Sequence, residues 1–282
     1  MSTTHNQPAA QGEPNAPGGE AFNAGDLIMH HILDSREIEI PFTSAVVRLP
    51  EWKPLGVDLS PTRTVAMMWI ACALLLVVLV AAARRAREAV PRGVRGVVEI
   101  FVLFIRDEVA RKALGHDADR YLGYLLTTFF FILTCNLLGL VPGMSTATGS
   151  ISVTAALAGM AFVMIQFAGM RENGVAGHLR NLLPRGLPVW LVPILLPAEI
   201  LGVFTKPFAL CMRLFANMTA GHVVILSLVS LIFIMKTAYF AAISIPLALF
   251  AYVLEILVAF LQAFIFTLLT AYFIGMAAHP SH

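Results

Sequence analysis

The stretch that decides the fold lies in the last third of the chain, where residues 188–235 read PVWLVPILLPAEILGVFTKPFALCMRLFANMTAGHVVILSLVSLIFIM. Its only formal charges are those of Glu199, Lys206 and Arg213, and the segment that follows, 237–278, carries one, Glu255. As continuous helices the two segments would be about 72 Å and about 63 Å long, roughly twice a perpendicular bilayer crossing. The sequence therefore predicts two long, strongly tilted helices that form an antiparallel hairpin.

The composition of the whole chain agrees with a membrane protein. Of 282 residues, 58% are hydrophobic and 13% are charged, and the mean hydropathy is +0.80. A soluble domain usually has about 45–50% apolar and about 25% charged residues, so a soluble enzyme is excluded. The net charge of +2 does not favour a nucleic-acid partner. The three cysteines stand singly in apolar runs, so we expect no disulfide scaffold, no metal site and no cofactor.

Three regions follow one another along the chain. Residues 1–25 lack an apolar stretch like that of a secretory signal, and we expect a disordered N-terminal tail. Residues 26–63 mix short apolar pieces with prolines, which favours an extended extracytoplasmic surface segment. Residues 64–282 form the polytopic membrane domain of an all-α membrane protein, with about five transmembrane helices and one interfacial helix. The helices are expected at about 65–83, 91–114 (interfacial), 121–141, 151–170, 189–235 and 238–278.

The charged loops predict the sidedness of the chain. Arginines cluster directly after the first span, and the loop 171–187 holds three arginines against one glutamate. Basic loops stay in the cytoplasm, so the N-terminus is expected outside the cytoplasm and the C-terminus inside it. The expected location is the inner membrane of a bacterial cell.

The charges inside the apolar segments follow a helical spacing. Glu199, Lys206 and Arg213 are seven residues apart each time, and Asn217 follows Arg213 at i+4. Seven residues at about 100° each return to nearly the same face, so one stripe of the long helix is polar. A charge at the bilayer centre costs about 2.5–3.5 kcal/mol on insertion scales, which predicts a functional reason for the stripe.

A histidine and a second glutamate lie away from that stripe. His222 comes nine residues after Arg213 and is therefore expected on the opposite helix face. Glu255 and Gln262 are again seven residues apart, in the second long segment. Histidine and glutamate exchange protons at working pH whereas arginine stays charged, a combination that suggests an ion path with a barrier. A plainer interpretation stays open, in which Glu199 and Lys206 pair with each other and His222 is a packing residue.

A family resemblance rests on four motifs. Residues 211–222 (CMRLFANMTAGH) and 261–266 (LQAFIF), with 135–142 (CNLLGLVP) and 193–199 (PILLPAE), resemble subunit a of F-type ATP synthase. The likeness covers about residues 55–280. In one form of the family a glutamate follows the Ala-Gly pair and a histidine lies on the last helix. This chain resembles the reciprocal form, with His222 and Glu255.

The resemblance implies a stator subunit of the membrane sector of a rotary ATP synthase. It implies two offset proton half-channels against a ring of c subunits, with Arg213 forcing deprotonation of the ring carboxylate and blocking a proton short circuit. Peripheral-stalk b subunits, the lipid bilayer and the transported proton are the other implied partners, without nucleotide or nucleic acid. The remaining proton-translocation residues would be Asn217 beside Arg213, then His222, Glu255 and Gln262 in the outer half-channel, and Glu199 and Lys206 towards the cytoplasm. The subunit would not be catalytic by itself.

Three other classes of function would make different demands on the sequence. A stand-alone secondary ion transporter or channel would need its own site near the midplane, and no internal repeat is visible. An intramembrane enzyme would need a nucleophile with a base in reach. Ser227 and Ser230 lie near His222 in sequence, but neither sits in a strained, glycine-flanked turn. A purely structural assembly subunit would carry the same charges without using them.

Overall fold

The computed structural model describes residues 37–39, 46–48, 62–84, 93–141, 144, 146–180, 192–235 and 238–279. The predicted N-terminal tail, most of the surface segment 26–63, and the stretch 181–191 lie outside the described residues. Within the surface segment, strand β1 (Glu37–Glu39) pairs antiparallel with β2 (Val46–Arg48), with Ile38 opposite Val47.

Helices make up nearly all the rest of the described chain. The first is α1 (Arg63–Arg84), which was predicted at 65–83. Next come α2 (Val94–Phe104), one π-helical stretch (Ile105–Ala110), α3 (Arg111–Leu114) and a 3₁₀ turn (Gly115–Asp117). Together they occupy the place of the predicted helix 91–114. The chain then reverses into α4 (Ala118–Gly139), which was predicted at 121–141.

The fifth helix differs most from its prediction. It was expected at 151–170, but α5 runs over Ile151–Arg180 and its helical geometry breaks at Gly174, which has φ 70°. A left-handed conformation costs glycine little, so Gly174 ends the first part of the helix and lets the chain reverse. The apolar pattern marked only the part before the break. The reversal is held by a 2.7 Å hydrogen bond between His178 Nε2 and Gln166 Oε1.

The two long helices are confirmed as continuous elements. Helix α6 extends over Val192–Met235 and α7 over Ala238–Ala278, and helical geometry continues through the internal prolines Pro197, Pro207 and Pro246. Lys206 contacts Phe273, while Gly221 lies against Glu255, so the helices run antiparallel. At about 66 Å, α6 is twice as long as the hydrocarbon core is thick, and it must cross the membrane obliquely.

Five stretches of the described chain are long and apolar enough to cross a membrane, which confirms an all-α membrane protein. They are Arg63–Arg84, Val94–Gly139, Ile151–Val175, Leu195–Ile232 and Tyr239–Ala278. The second contains the whole reversal between α2 and α4. The interfacial position predicted for 91–114 stays a prediction.

An aromatic cluster joins three of these helices. Phe101 of α2 contacts Phe129 of α4 and Phe260 of α7, each with ring centroids 5.8 Å apart, and Phe129 is fully buried. Ile105 and Val109, in the π-helical stretch that follows α2, are also fully buried and continue this apolar face. Offset aromatic pairs add about 0.5–1.5 kcal/mol each beyond the area they bury. The apolar face predicted for 91–114 is therefore covered by protein.

The loops gather at two ends of the helix bundle. At one end, Asn173 Nδ2 donates to the carbonyls of Ala277 and Ala278, both at 3.1 Å, and His279 pairs with Asp117 at 2.8 Å. At the other end, Tyr252 donates a 2.7 Å hydrogen bond to the carbonyl of Leu140. The turn 115–117, the break in α5 and the end of α7 therefore lie together, away from the loop after α4.

Candidate functional site

Arg213 lies on an exposed face of α6. Asn217, one turn further along, is exposed on the same side, as the spacing predicted. Within the described part of the chain, Arg213 forms no salt bridge, whereas the exposed Arg111 and Arg120 both have acidic partners. The guanidinium of Arg213 thus points out of the bundle without an internal counter-charge.

His222 and Glu255 face each other between α6 and α7. Nδ1 of His222 is 3.7 Å from Oε1 of Glu255, which is only 4% exposed. Neither oxygen of Glu255 has a hydrogen-bond partner among the described residues. Leaving such a buried acceptor unpaired is costly unless water or a proton reaches it. The structure thus brings together the two titratable residues whose pairing the resemblance implied.

Gly221 makes this approach possible. A Cβ atom built on Gly221 would lie 2.5 Å from Oε1 and 2.8 Å from Cδ of Glu255. Such distances are far below normal van der Waals contact, so only a glycine lets the carboxylate lie against the α6 backbone at this place.

The turn after α4 supplies a second set of polar groups. The hydroxyl of Thr146 is hydrogen-bonded to Nε2 of His222. Thr148 donates a 2.6 Å hydrogen bond to Oδ1 of Asn136, and Asn136 Nδ2 donates a 3.1 Å bond to the carbonyl of Ala259. A chain of polar contacts therefore connects α4, the turn and the helix that carries Glu255.

The other predicted site residues lie apart from this cluster or at its edge. Gln262 is buried on α7, two turns beyond Glu255. Lys206 is half-buried, and its Nζ lies 5.3 Å from the centroid of the Phe273 ring, a cation–π distance. Glu199 is half-buried near the start of α6, and in this structure no ion pair joins it to Lys206.

Three polar residues of the cluster were not predicted as site residues. Asn136 belongs to the motif 135–142, and Thr146 and Thr148 belong to the uncharged loop between two spans. The one available signal was the run of hydroxyl side chains in STATGS, residues 145–150, which is unusually polar for so short a connection. Such a run does not reveal which helix it contacts.

The arrangement is better suited to moving protons than to making or breaking covalent bonds. It combines an imidazole, a buried carboxylate and hydroxyls within the protein, with a fixed cation on the outer surface of the same helix. Among the described residues, no three His, Cys, Asp or Glu side chains are grouped as metal ligands would be.

Comparison with known proteins gives one consistent family. The family model described as ATP synthase A chain matches residues 65–275. An ATP synthase subunit a from Chloroherpeton thalassium is 49% identical over 260 residues, 90% of this chain and 77% of the relative. An ATP synthase subunit a 2 from Prosthecochloris aestuarii is 50% identical over 281 residues, 97% of this chain and 85% of the relative. An ATP synthase subunit a from Anaeromyxobacter dehalogenans is 46% identical over 275 residues, 92% of this chain and 71% of the relative.

The matched residues include all of α2 to α6, nearly all of α1 and α7, and all seven predicted site residues. Five stretches able to cross a bilayer suit a multi-pass subunit of the membrane sector. The chain therefore belongs to the ATP synthase A chain family.

Proposed function

We propose that this chain is the stator subunit of a rotary ATP synthase and forms two offset proton half-channels against a ring of c subunits. Arg213 ionises each ring carboxylate that passes and blocks direct proton flow between the channels. The chain itself carries protons and leaves the chemistry of ATP to other subunits. Peripheral-stalk b subunits would hold it against the rotating ring.

The outward position of Arg213 carries this proposal. An exposed guanidinium in a membrane helix would face lipid at a cost of about 2.5–3.5 kcal/mol on insertion scales. No acidic side chain in the described part of the chain offsets that cost. A partner that brings carboxylates to this surface at membrane depth removes the penalty, and a ring of acidic hairpins is such a partner.

The surface around Arg213 is shaped for close approach. Apart from Asn217, the exposed residues within one or two turns of it on the same face are small, namely Ala209, Ala216 and Ala220. Small side chains let helix backbones approach closely in membranes, where packing drives association. A smooth surface also allows a partner to slide past without interlocking side chains.

Two groups of polar residues flank Arg213 along α6. His222 lies nine residues after it, about 14 Å along the helix, with Glu255 and Gln262 beside it on α7. Glu199 lies fourteen residues before it, about 21 Å in the other direction, with Lys206 between them. This separation supports two half-channels that end on opposite sides of Arg213 and do not meet.

The direction of proton movement follows from electrostatics. A ring carboxylate must be neutral while it faces lipid, since an ion there is too costly. Beside Arg213 the ionised form is favoured, and the released proton leaves through one half-channel. A proton from the other half-channel then neutralises the carboxylate before it returns to lipid. Each charge that crosses 100 mV yields about 2.3 kcal/mol, so many transfers are needed for each turn.

The two ends of the bundle support the predicted sidedness. The loop after α4 and the His222–Glu255 pair would belong to the extracytoplasmic half-channel. The turn 115–117, the break at Gly174 and the end of α7 would face the cytoplasm, where basic loops are retained. That arrangement puts the N-terminus outside and the C-terminus inside a bacterial inner membrane.

The test compares Arg213→Ala, Arg213→Lys and the matched control Arg111→Ala, which removes an exposed arginine paired with Asp107 at 2.7 Å. Proton-driven ATP synthesis by the assembled complex should be lost in Arg213→Ala and strongly reduced in Arg213→Lys, because a desolvated lysine can lose its proton. The control should behave as wild type, and ring subunits should co-purify with all three. Normal synthesis in Arg213→Ala would overturn the proposal. Ion flux through the chain alone in liposomes would instead favour a stand-alone transporter.

A further inference from the structure

The hydroxyl of Thr146 contacts the titratable pair from outside the two long helices. Thr146 is 6% exposed and is hydrogen-bonded to Nε2 of His222, while Nδ1 of the same ring faces Glu255. The two ring nitrogens of His222 therefore have different partners on different elements. Thr146 has no charge and would not itself store a proton.

The position of Thr146 is fixed by its surroundings. A Cβ atom on Gly139 would overlap the Thr146 side chain, so the end of α4 forms a close-fitting wall behind it. Two residues further on, Thr148 is bonded to Asn136, and Asn136 is bonded to the carbonyl of Ala259. Ala259 lies one turn after Glu255 on α7. The turn is thus held by the same helix that carries the carboxylate.

A fixed partner on Nε2 determines the direction in which Nδ1 points. In neutral histidine one ring nitrogen donates and the other accepts, and the hydrogen bond at one nitrogen decides the state of the other. When the Thr146 hydroxyl donates to Nε2, Nδ1 carries the proton and directs it at Glu255. When the ring is protonated, Nε2–H donates to the hydroxyl oxygen and Nδ1–H still faces the carboxylate. A hydroxyl can follow both states because it donates and accepts.

We propose that Thr146 is a positioning residue that holds the His222 imidazole with Nδ1 towards Glu255. The inference rests on the proposed function, since it assigns Thr146 a role in the outer half-channel. Removing the hydroxyl takes away the hydrogen bond at Nε2, so a smaller share of the population has Nδ1 directed at Glu255. One hydrogen bond corresponds to about a fivefold change in such a population.

Three variants separate the hydroxyl from the packing of the side chain. Thr146→Val keeps the shape and removes the hydroxyl, and Thr146→Ser keeps the hydroxyl and removes the methyl group. Thr154→Val is the matched control, because Thr154 is buried and its hydroxyl bonds the carbonyls of Ser150 and Ile151 and contacts the Cys211 sulfur at 3.5 Å, but not His222. Proton conduction through the assembled membrane sector should fall about fivefold in Thr146→Val and stay near wild type in the other two. Unchanged conduction in Thr146→Val, or an equal loss in Thr146→Ser, would overturn the inference.

Nitrogen NMR of the histidine-labelled wild-type complex tests the same inference without depending on a variant that must fold. The signal of His222 is assigned by its loss in His222→Asn. We expect a hydrogen-bonded Nε2 in the wild type, and loss of that hydrogen bond in Thr146→Val. A wild-type His222 whose Nε2 is not hydrogen-bonded would refute the role of Thr146.

The outcome for Thr146 can be separated from that for the proposed function. If Glu255→Gln and Arg213→Ala abolish proton-coupled synthesis while Thr146→Val changes neither conduction nor the His222 signal, only the positioning role fails. If Glu255→Gln and Arg213→Ala leave synthesis intact, the proposed function fails.

Discussion

Substituting Gly221 by alanine tests the closest contact between the two long helices. The added Cβ would lie 2.5 Å from Oε1, 2.8 Å from Cδ and 3.2 Å from Cγ of Glu255. Carbon atoms in protein interiors pack at about 3.5–4.0 Å, so the carboxyl group must move by about 1 Å or the helices must separate. Glu255 is only 4% exposed, which leaves little room for the first alternative.

Both ways of relieving the contact have a cost. Adding a methyl group to a well-packed interior destabilises by about 1–3 kcal/mol. Moving the carboxylate also changes its distance from His222, which is 3.7 Å in the native arrangement. Proton transfer depends steeply on geometry, and a displacement of about 1 Å can reduce a rate by about 100-fold. We therefore expect at least a tenfold loss of proton conduction in Gly221→Ala.

The assay is passive proton conduction in vesicles that contain the assembled membrane sector, with subunit content checked by immunoblot. Gly159→Ala on α5 is the matched control, because a Cβ there meets nothing within 4 Å. The double variant Gly221→Ala/Glu255→Asp, whose acid is shorter by one methylene group, should conduct better than Gly221→Ala alone. Wild-type conduction in Gly221→Ala would refute the close approach of Glu255 to α6.

Three further predictions concern stability. Asn136→Ala should lower the free energy of unfolding by about 1–3 kcal/mol, because the buried Thr148 hydroxyl and Ala259 carbonyl lose their partner, and a calorimetric Tm equal to wild type would contradict this. Tyr252→Phe should cost about 1 kcal/mol by the same measurement, through loss of the bond to Leu140, whereas Tyr239→Phe, at a site 82% exposed, should cost nothing detectable. Burial lowers the pKa of His178 below 6.5, so the stability that it contributes is present above about pH 6.5 and is lost as the pH falls through that value towards the folded-state pKa. Amide exchange over residues 175–180, corrected for its intrinsic pH dependence, should therefore be faster at pH 5.5 than at pH 7.5, and an equal increase in His178→Gln would argue against titration of His178.

Local patterns predicted the helices and the faces that they present. Patterns of hydropathy and charge can be read from a short stretch of sequence without knowledge of the rest of the fold. For this reason α7 was predicted with the bounds Ala238–Ala278 that it has. The seven-residue spacing likewise predicted that Arg213 and Asn217 share a face, because helix periodicity is independent of the rest of the protein. Both side chains are exposed together. His222 was predicted to lie away from them, and it points into the bundle.

Contacts between distant segments were not predictable from these patterns. The bond of Thr146 to His222 joins residues 76 positions apart, and nothing in the loop indicates which helix will face it. Lys206 could equally have been expected to pair with Glu199, but its long side chain lies over Phe273 of the neighbouring helix. The sequence offers several nearby glycines and does not indicate that Gly174 is the one with a positive φ, because the returning segment contacts Gln166 twelve residues away from His178.

The most direct test of the account is the position of the Arg213 guanidinium in a density map of the assembled complex, prepared with its ring of c subunits. We predict that the guanidinium points out of α6 towards the ring and lies within about 6 Å of a ring carboxylate, close enough to favour its ionised form. A guanidinium that faces lipid or bulk water, or that pairs with an acid of its own chain, would contradict the account.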